Sequence, residues 1–429
     1  MLEDRYGNPL TTTSTEAADA YINGVDAILS AAVDPAVDLT KSVNADSEFA
    51  LARVALGRHH MLQGDMKNAR DHIAVGLELA QSASPREQQH AQIFQLLSHG
   101  RGPDALRLTM QHVRDYPRDA FALAPSTSVF GLIGFSGDRA REQAQLNLLE
   151  SLREAYGNDW WFLSVYAFAL IEMGQSHKGR DLVVQALEQN PRSAHTAHIY
   201  AHGLYELGEN QVMAEFLQAW LPDYPEHLLM SCHLWWHLCL ARLALGEYER
   251  IWPDYDRYCA PGVTNSPAIN VFTDGVSLLW RSELAGQPRH AERWQALLVF
   301  QQTRLPKPMV FVDAHGGLPY LALGDRSGFE GWIGALAQAE LAGKLPAAGV
   351  PAQVNLAFSA FELGEWSRAL EILESIRDEV VRIGGSRAQR DLVRNTLITA
   401  YLRAGQFDKA RQAAAEPDRN VEPPSNQSV

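Results

Sequence analysis

The chain has 429 residues, 46% of them apolar and 21% charged, with a formal net charge of −14. These are the proportions of an ordinary soluble globular protein, and the acidic balance excludes nucleic acid or an anionic membrane surface as the main partner. No apolar leader opens the chain and no run of about 18 apolar residues follows, so a cytoplasmic protein with no membrane partner is expected.

Residues 1–16 read as an irregular lead-in. From there one pattern keeps returning: an apolar run, a glycine, a few polar residues, then alanine and a second apolar run. Clear copies are VALGRHHMLQGDMKNARDHIAVGLELA, VYAFALIEMGQSHKGRDLVVQALEQNP and LITAYLRAGQFDKARQAAAE. The breaking glycine sits at Gly64, Gly174, Gly208, Gly246, Gly364 and Gly405, with weaker copies at Gly100, Gly137, Gly286 and Gly324. The spacing is close to the 34 residues or so of a tetratricopeptide repeat.

Each unit reads as two helices. The first ends where glycine takes the left-handed conformation, and small residues such as Ala69, Ala105 and Ala369 let the pair approach closely. Neither helix can bury its apolar face alone, so neighbours stack. The predicted fold is all-α: a tetratricopeptide-like helical-repeat solenoid, strongly curved or nearly closed, spanning 1–415 as one domain. The only β-branched run, Val310–Val312, reads as a helix entry. PGVTNSP (Pro261–Pro267), LPKP (Leu305–Pro308) and GKLPAAGVP (Gly343–Pro351) read as loops between repeats. The segment 416–429 lacks apolar residues and is expected to be a disordered tail. Cys232, Cys239 and Cys259 are too few for a disulfide framework and read as buried apolar residues in a reducing compartment.

Several stretches carry a resemblance: AHIYAHGLYELG, HLWWHLCLARLALGEY, FVDAHGGLPYLALG and GGSRAQRDLVRNTLITAYLRAG. Together they resemble the tetratricopeptide repeat protein 38 family over most of the chain. The resemblance implies a helical-repeat solenoid, with histidines at the positions of His90, His198, His202, His233, His237 and His315 and an aspartate at that of Asp313. Gly384, Gly385, Ser386, Gln389, Arg390 and Asp391 match its GGSxAQRD pattern. Members often carry histidine where this chain has Arg387. The resemblance names no reaction.

Counting back from each glycine gives a row. His195 and His233 lie thirteen residues before their glycines, His198 ten and His237 nine; His90 lies ten before Gly100. Asp313 and His315 lie eleven and nine before Gly324, Trp161 thirteen before Gly174, Asp274 twelve before Gly286, and Arg394 eleven before Gly405. Equivalent positions of many first helices thus carry polar or aromatic residues, which predicts one interior groove. His59, His60, His112, His177 and His290 read as ordinary core or surface residues.

Three uses compete for His198, His202, His233 and His237. As ligands, histidines one helical turn apart can bind a divalent metal such as Zn²⁺, with Asp313 or Glu206 adding a carboxylate, although no HExxH or CxxC accompanies them. As acid–base groups, they suit proton transfer near neutral pH, with Asp313 and His315 opposite. As a recognition surface, they would bind a small organic ligand together with His90, His195, Trp161, Trp236, Arg390 and Arg394. GFSGD is not a nucleophile elbow, and phosphate-loop and dinucleotide glycine patterns are absent. Ser386 with Gln389 reads as a capping box. The favoured reading is an interior pocket for a small molecule, extending to hydrolase- or lyase-type acid–base chemistry, metal-assisted or not. The alternative is a tetratricopeptide scaffold whose concave face holds a protein or peptide partner.

Overall fold

The computed structural model describes residues 1–305 and 308–415. Among them the regular elements are helices, with one isolated bridge between Glu3 and Pro9 in the lead-in. The tail expected from 416 onward, and Pro306 and Lys307 of the LPKP loop, lie outside the described residues.

The helices run α1 (Thr15–Ser30), α2 (Ala36–Ala45), α3 (Ala50–Leu62), α4 (Met66–Leu79), α5 (Pro85–Ser98), α6 (Gly102–Asp115) and the short α7 (Ala120–Leu123). Next come α8 (Arg141–Tyr156), α9 (Trp160–Glu172), α10 (Ser176–Gln189), α11 (Ala194–Glu206), α12 (Asn210–Trp220), α13 (Ser231–Leu245), α14 (Ile251–Asp254) and α15 (Ala268–Leu284). The last described helices are α16 (Ala291–Arg304), α17 (Val310–His315), α18 (Leu318–Ala322), α19 (Arg326–Leu341), α20 (Val350–Glu362), α21 (Trp366–Ile376), α22 (Arg387–Arg403) and α23 (Phe407–Ala415). Val310–Val312 therefore opens a helix, as its sequence predicts.

Two compact units form. The first comprises residues 1–133, 144–169 and 181–199; the second comprises 134–143, 170–180 and 200 onward. Helices α8 to α11 contribute residues to both.

In the first unit the hairpin of α3 and α4 shows how sequence makes a repeat. Gly64 takes a φ of +77° between them, and the next residue, Asp65, caps α4 by accepting the Asn68 N–H at 3.2 Å. Gly57 and Gly76 lie where the helices touch. A Cβ at either would come within 2.5 Å of Ile73 and 2.7 Å of Val54 respectively, so the crossing needs glycine for space rather than for backbone freedom. Ala69, Ala105 and Ala369 are all fully buried, as close approach requires.

The repeat fails between 127 and 140, where turns and bends replace a helix pair. The stretch TSVFGLIGFSGDRA is dense in serine and glycine, which lose more entropy in a helix than they return. A Cβ at Gly131 would also sit 2.4 Å from the Pro125 carbonyl.

In the second unit α15 is the central rod, buried without a break from Val271 to Ser282. A helix closed to water on every side needs partners all round, and α13, α16, α17 and α22 provide them. By contrast α21 is amphipathic and buries Ala369, Leu370, Leu373 and Ile376 along one stripe. Trp280 of α15 donates its indole N–H to Thr396 of α22 at 2.9 Å, which satisfies the polar atom of this fully buried side chain. Pro351 falls in the first turn of α20, where a missing N–H costs nothing.

Candidate functional site

The histidines that the sequence singles out sit on α11 and α13. His202 and His237 are both 0% exposed, and their rings meet edge to face at 4.5 Å. His233, one turn before His237, lies 4.8 Å from the His237 ring and 6.4 Å from that of His202. Each of the three offers a ring nitrogen, and these nitrogens lie within 4.8 Å of one another. Burial, together with the neighbouring imidazoles, holds His202 and His237 well below the usual histidine range, and Arg281 pushes His237 the same way.

Asp274, carried into the core by α15, completes this group. His233 Nδ1 lies 2.6 Å from its Oδ2, and Gln389 of α22 donates to its Oδ1 at 3.2 Å. Gln389 is itself held in the capping box read from the sequence: its Oε1 accepts the Ser386 N–H at 3.1 Å while Ser386 Oγ accepts the Gln389 N–H at 3.2 Å. Trp236 stacks on His233 at 5.1 Å and turns into an apolar cluster with Cys232, Cys239 and Cys259.

His198 stands one turn before His202 on α11 but belongs to the first unit, where its ring meets Phe168 at 5.9 Å. His195, a turn earlier still, is half-buried. Trp161 is buried in the first unit between Tyr6 and Tyr156, an aromatic core position rather than a wall facing a ligand. His315 donates its Nδ1–H to the Phe311 carbonyl at 2.8 Å, and burial lowers its pKa to about 4. Asp313 turns back to accept the Met309 N–H at 2.9 Å, capping α17.

His90 belongs to a separate cluster. In the first unit Asp119 accepts from Arg86 at 2.7 Å and meets His90 Nδ1 and His112 Nε2, each at 3.1 Å. Burial would raise this carboxyl, but His90, His112 and Arg86 outweigh it and hold it well below the usual range. Asp119 and Arg86 carry no signal in the repeat register. His112, read as ordinary, makes two such contacts, the second to Gln89 Oε1 at 3.0 Å.

A cavity of the second unit lies elsewhere. It measures about 900 Å³ and runs along α22, lined by Arg387, Arg390, Arg394, Glu142 and Glu172, with Met173, Leu373 and Val393 as apolar floor. None of the histidines lines it. The interior wall of histidine and tryptophan expected around a small molecule therefore does not coincide with this space, because their helices pack those side chains shut.

Arg141, which nothing in the sequence marks, shapes one end of the cavity. Its guanidinium donates to the Val381 and Gly385 carbonyls at 2.8 and 2.6 Å, fixing the loop before α22. Gly384 and Gly385 have φ of +90° and +71°, and a Cβ there would meet the rings of Phe135 and Phe311 at 2.6 and 2.3 Å. Arg390 pairs with Glu142 at 2.5 Å, and Arg387 with Glu206 at 3.0 Å. Arg394 donates to the Ala413 and Ala414 carbonyls and is 41% exposed. Glu172 accepts the Arg387 N–H at 2.9 Å through Oε2, while its Oε1 is buried with no hydrogen-bond partner. Burial pushes this carboxyl up, to about 7, against the pull of Arg390.

No protein-family profile matches the chain. Among solved structures it is similar to the human IFIT1 dimer with m7Gppp-AAAA, at 13% identity and a TM-score of 0.43, covering 96% of this chain and 91% of that one. A Rap protein complexed with competence and sporulation factor follows at 11% and 0.38, covering 94% and 96%. The P58(IPK) TPR domain follows at 14% and 0.24, covering 92% and 90%. These are distant likenesses; the tetratricopeptide-like helical-repeat class rests on this chain's own glycine-broken hairpins. No helix among the described residues is long and apolar enough to cross a membrane.

Proposed function

We propose that this chain is a binding scaffold that holds an extended segment of a protein partner in the cavity along α22, and that its resemblance to the tetratricopeptide repeat protein 38 family reflects membership. The observation that carries the reading is Glu172, which lines a space of about 900 Å³ and whose buried Oε1 has no hydrogen-bond donor. A buried polar atom without a partner costs roughly 1–3 kcal/mol, which an incoming peptide N–H would recover. Arg394 at the mouth supplies donors for the peptide's carbonyls or carboxylate, and Met173, Leu373 and Val393 offer apolar seats for its side chains. The role is one of binding rather than turnover.

The test is selection from a random peptide library on the immobilised full chain, with affinities then measured by fluorescence anisotropy. Selected peptides should lose at least tenfold in affinity, about 1.4 kcal/mol, for Arg394→Glu and for Glu172→Leu. Failure to enrich any peptide, or binding indifferent to both substitutions, would overturn the reading. Saturable binding of a small anion that never competes with peptide would favour the small-molecule alternative.

A further inference from the structure

The buried histidines of the second unit lie outside that cavity and serve no part of peptide binding. They form two helix-borne layers. His233 and His237 are one turn apart on α13, and His202 on α11 faces them, with ring nitrogens within 4.8 Å. A zinc ion bound at about 2.0–2.1 Å places tetrahedral imidazole nitrogens about 3.3 Å apart, so side-chain rotations alone would close this set.

The setting behind the rings matches that requirement. A metal-binding histidine commonly gives its other ring N–H to a carboxylate, which fixes the tautomer and aims the remaining nitrogen. Asp274 does this for His233 at 2.6 Å, and Gln389 holds Asp274 in turn at 3.2 Å. The cluster in the first unit is the informative contrast. There Arg86 binds the shared carboxylate of Asp119 directly, so a fixed cation already occupies the place a metal would take. In the second unit the guanidinium of Arg281 donates instead to the Tyr205 hydroxyl and the Ala388 carbonyl at 2.7 and 3.1 Å.

We propose that His202, His233 and His237 bind one divalent transition-metal ion of the zinc type, with Asp274 as the positioning residue behind His233. Three neutral imidazoles leave such an ion a fourth position for water or another donor. The ion ties α11 to α13 and, through Asp274 and Gln389, to α15 and α22.

Elemental analysis of the full chain, grown with added zinc and dialysed against metal-free buffer, should give about one equivalent per chain. Protein refolded with Co²⁺ should show the visible absorption of a tetrahedral site. Asp274→Asn should weaken metal affinity by 10- to 100-fold, and His237→Ala should abolish stoichiometric binding. His112→Ala, in the other unit, should leave it unchanged. Circular dichroism on each variant identifies any that fail to fold; the cobalt spectrum of the unaltered chain and the Asp274→Asn titration decide the matter without them. Less than a tenth of an equivalent after both growth and refolding in zinc overturns the site, as does an affinity unmoved by Asp274→Asn.

Discussion

Gln389 Nε2 stands 3.2 Å from Asp274 Oδ1, and this one bond joins the cap of α22 to the histidines of α13. The same amide closes the capping box with Ser386. A helix start and a buried titratable group are thereby fixed by a single side chain. Gln389→Ala should cost about 2 kcal/mol, from the lost cap and the carboxylate left short of a donor. In a double-mutant cycle with Asp274→Asn, the coupling measured by urea unfolding should exceed 0.5 kcal/mol or so. Additive losses would show that the bond contributes only through the cap.

His315 gives a pH dependence whose sign is fixed. Its folded pKa of about 4 lies below the 6.5 of an exposed histidine, so the unfolded chain binds the extra proton first. The stability it contributes is present above pH 6.5 and is lost as pH falls from there towards 4, by an amount on the order of 3 kcal/mol. His202 and His237, shifted the same way, add to the slope, while the raised carboxyl of Glu172 works against it. Unfolding midpoints measured from pH 7 to pH 5 should therefore fall, and His315→Leu should flatten the curve. A His315→Leu curve with the same slope as the wild type over that range would contradict this account.

Asp119 should be the costliest single change in the first unit. Asp119→Asn leaves Arg86 buried without its charge partner and strips an acceptor from His90 and His112. The loss should be about 3–5 kcal/mol in a thermal or denaturant melt. Replacing Arg86 and Asp119 together by methionine and leucine should recover part of it, since the cost lies in the stranded charge.

Two glycines with nearly the same backbone separate strain from collision. Gly405 at φ +72° has open space where a Cβ would go, whereas Gly385 at φ +71° has the Phe311 ring 2.3 Å away. Gly405→Ala should cost about 1–2 kcal/mol from conformation alone. Gly385→Ala should cost clearly more, and Phe311→Leu in the same chain should return some of the difference. Equal losses in differential scanning calorimetry would mean that the loop before α22 can yield.

The hairpins were legible because each repeat states its own ending. All ten glycines counted in the sequence, from Gly64 to Gly405, have φ between +69° and +84°, although Gly137 lies in the irregular stretch where no helix pair forms. The capping box at Ser386 was equally local and equally readable. What escaped were partners far away in the chain. Arg390 meets Glu142 across 248 positions, and Arg141 reaches Gly385 across 244. Register from a glycine places a residue along its helix; it does not say which neighbour that side of the helix will face. His90, Trp161 and Asp313 share the row, yet one binds a carboxylate, one fills an aromatic core and one caps its own helix.

The three thiols behind Trp236 have a use beyond packing. Cys232, Cys239 and Cys259 are free, buried and gathered in one apolar cluster with α15. Burial pushes Cys239 up to about 12 and Cys259 well above the usual thiol range, so they are silent towards alkylating reagents while the core stays shut. Labelling at Cys232 or Cys239 would then record an opening of α13 from its neighbours, and labelling at Cys259 an opening of the segment Tyr255–Cys259. The natural chain, unaltered, thus carries a built-in clock for the breathing of its own centre, and the effect of a partner or an ion on that breathing can be timed at the sulfur atoms.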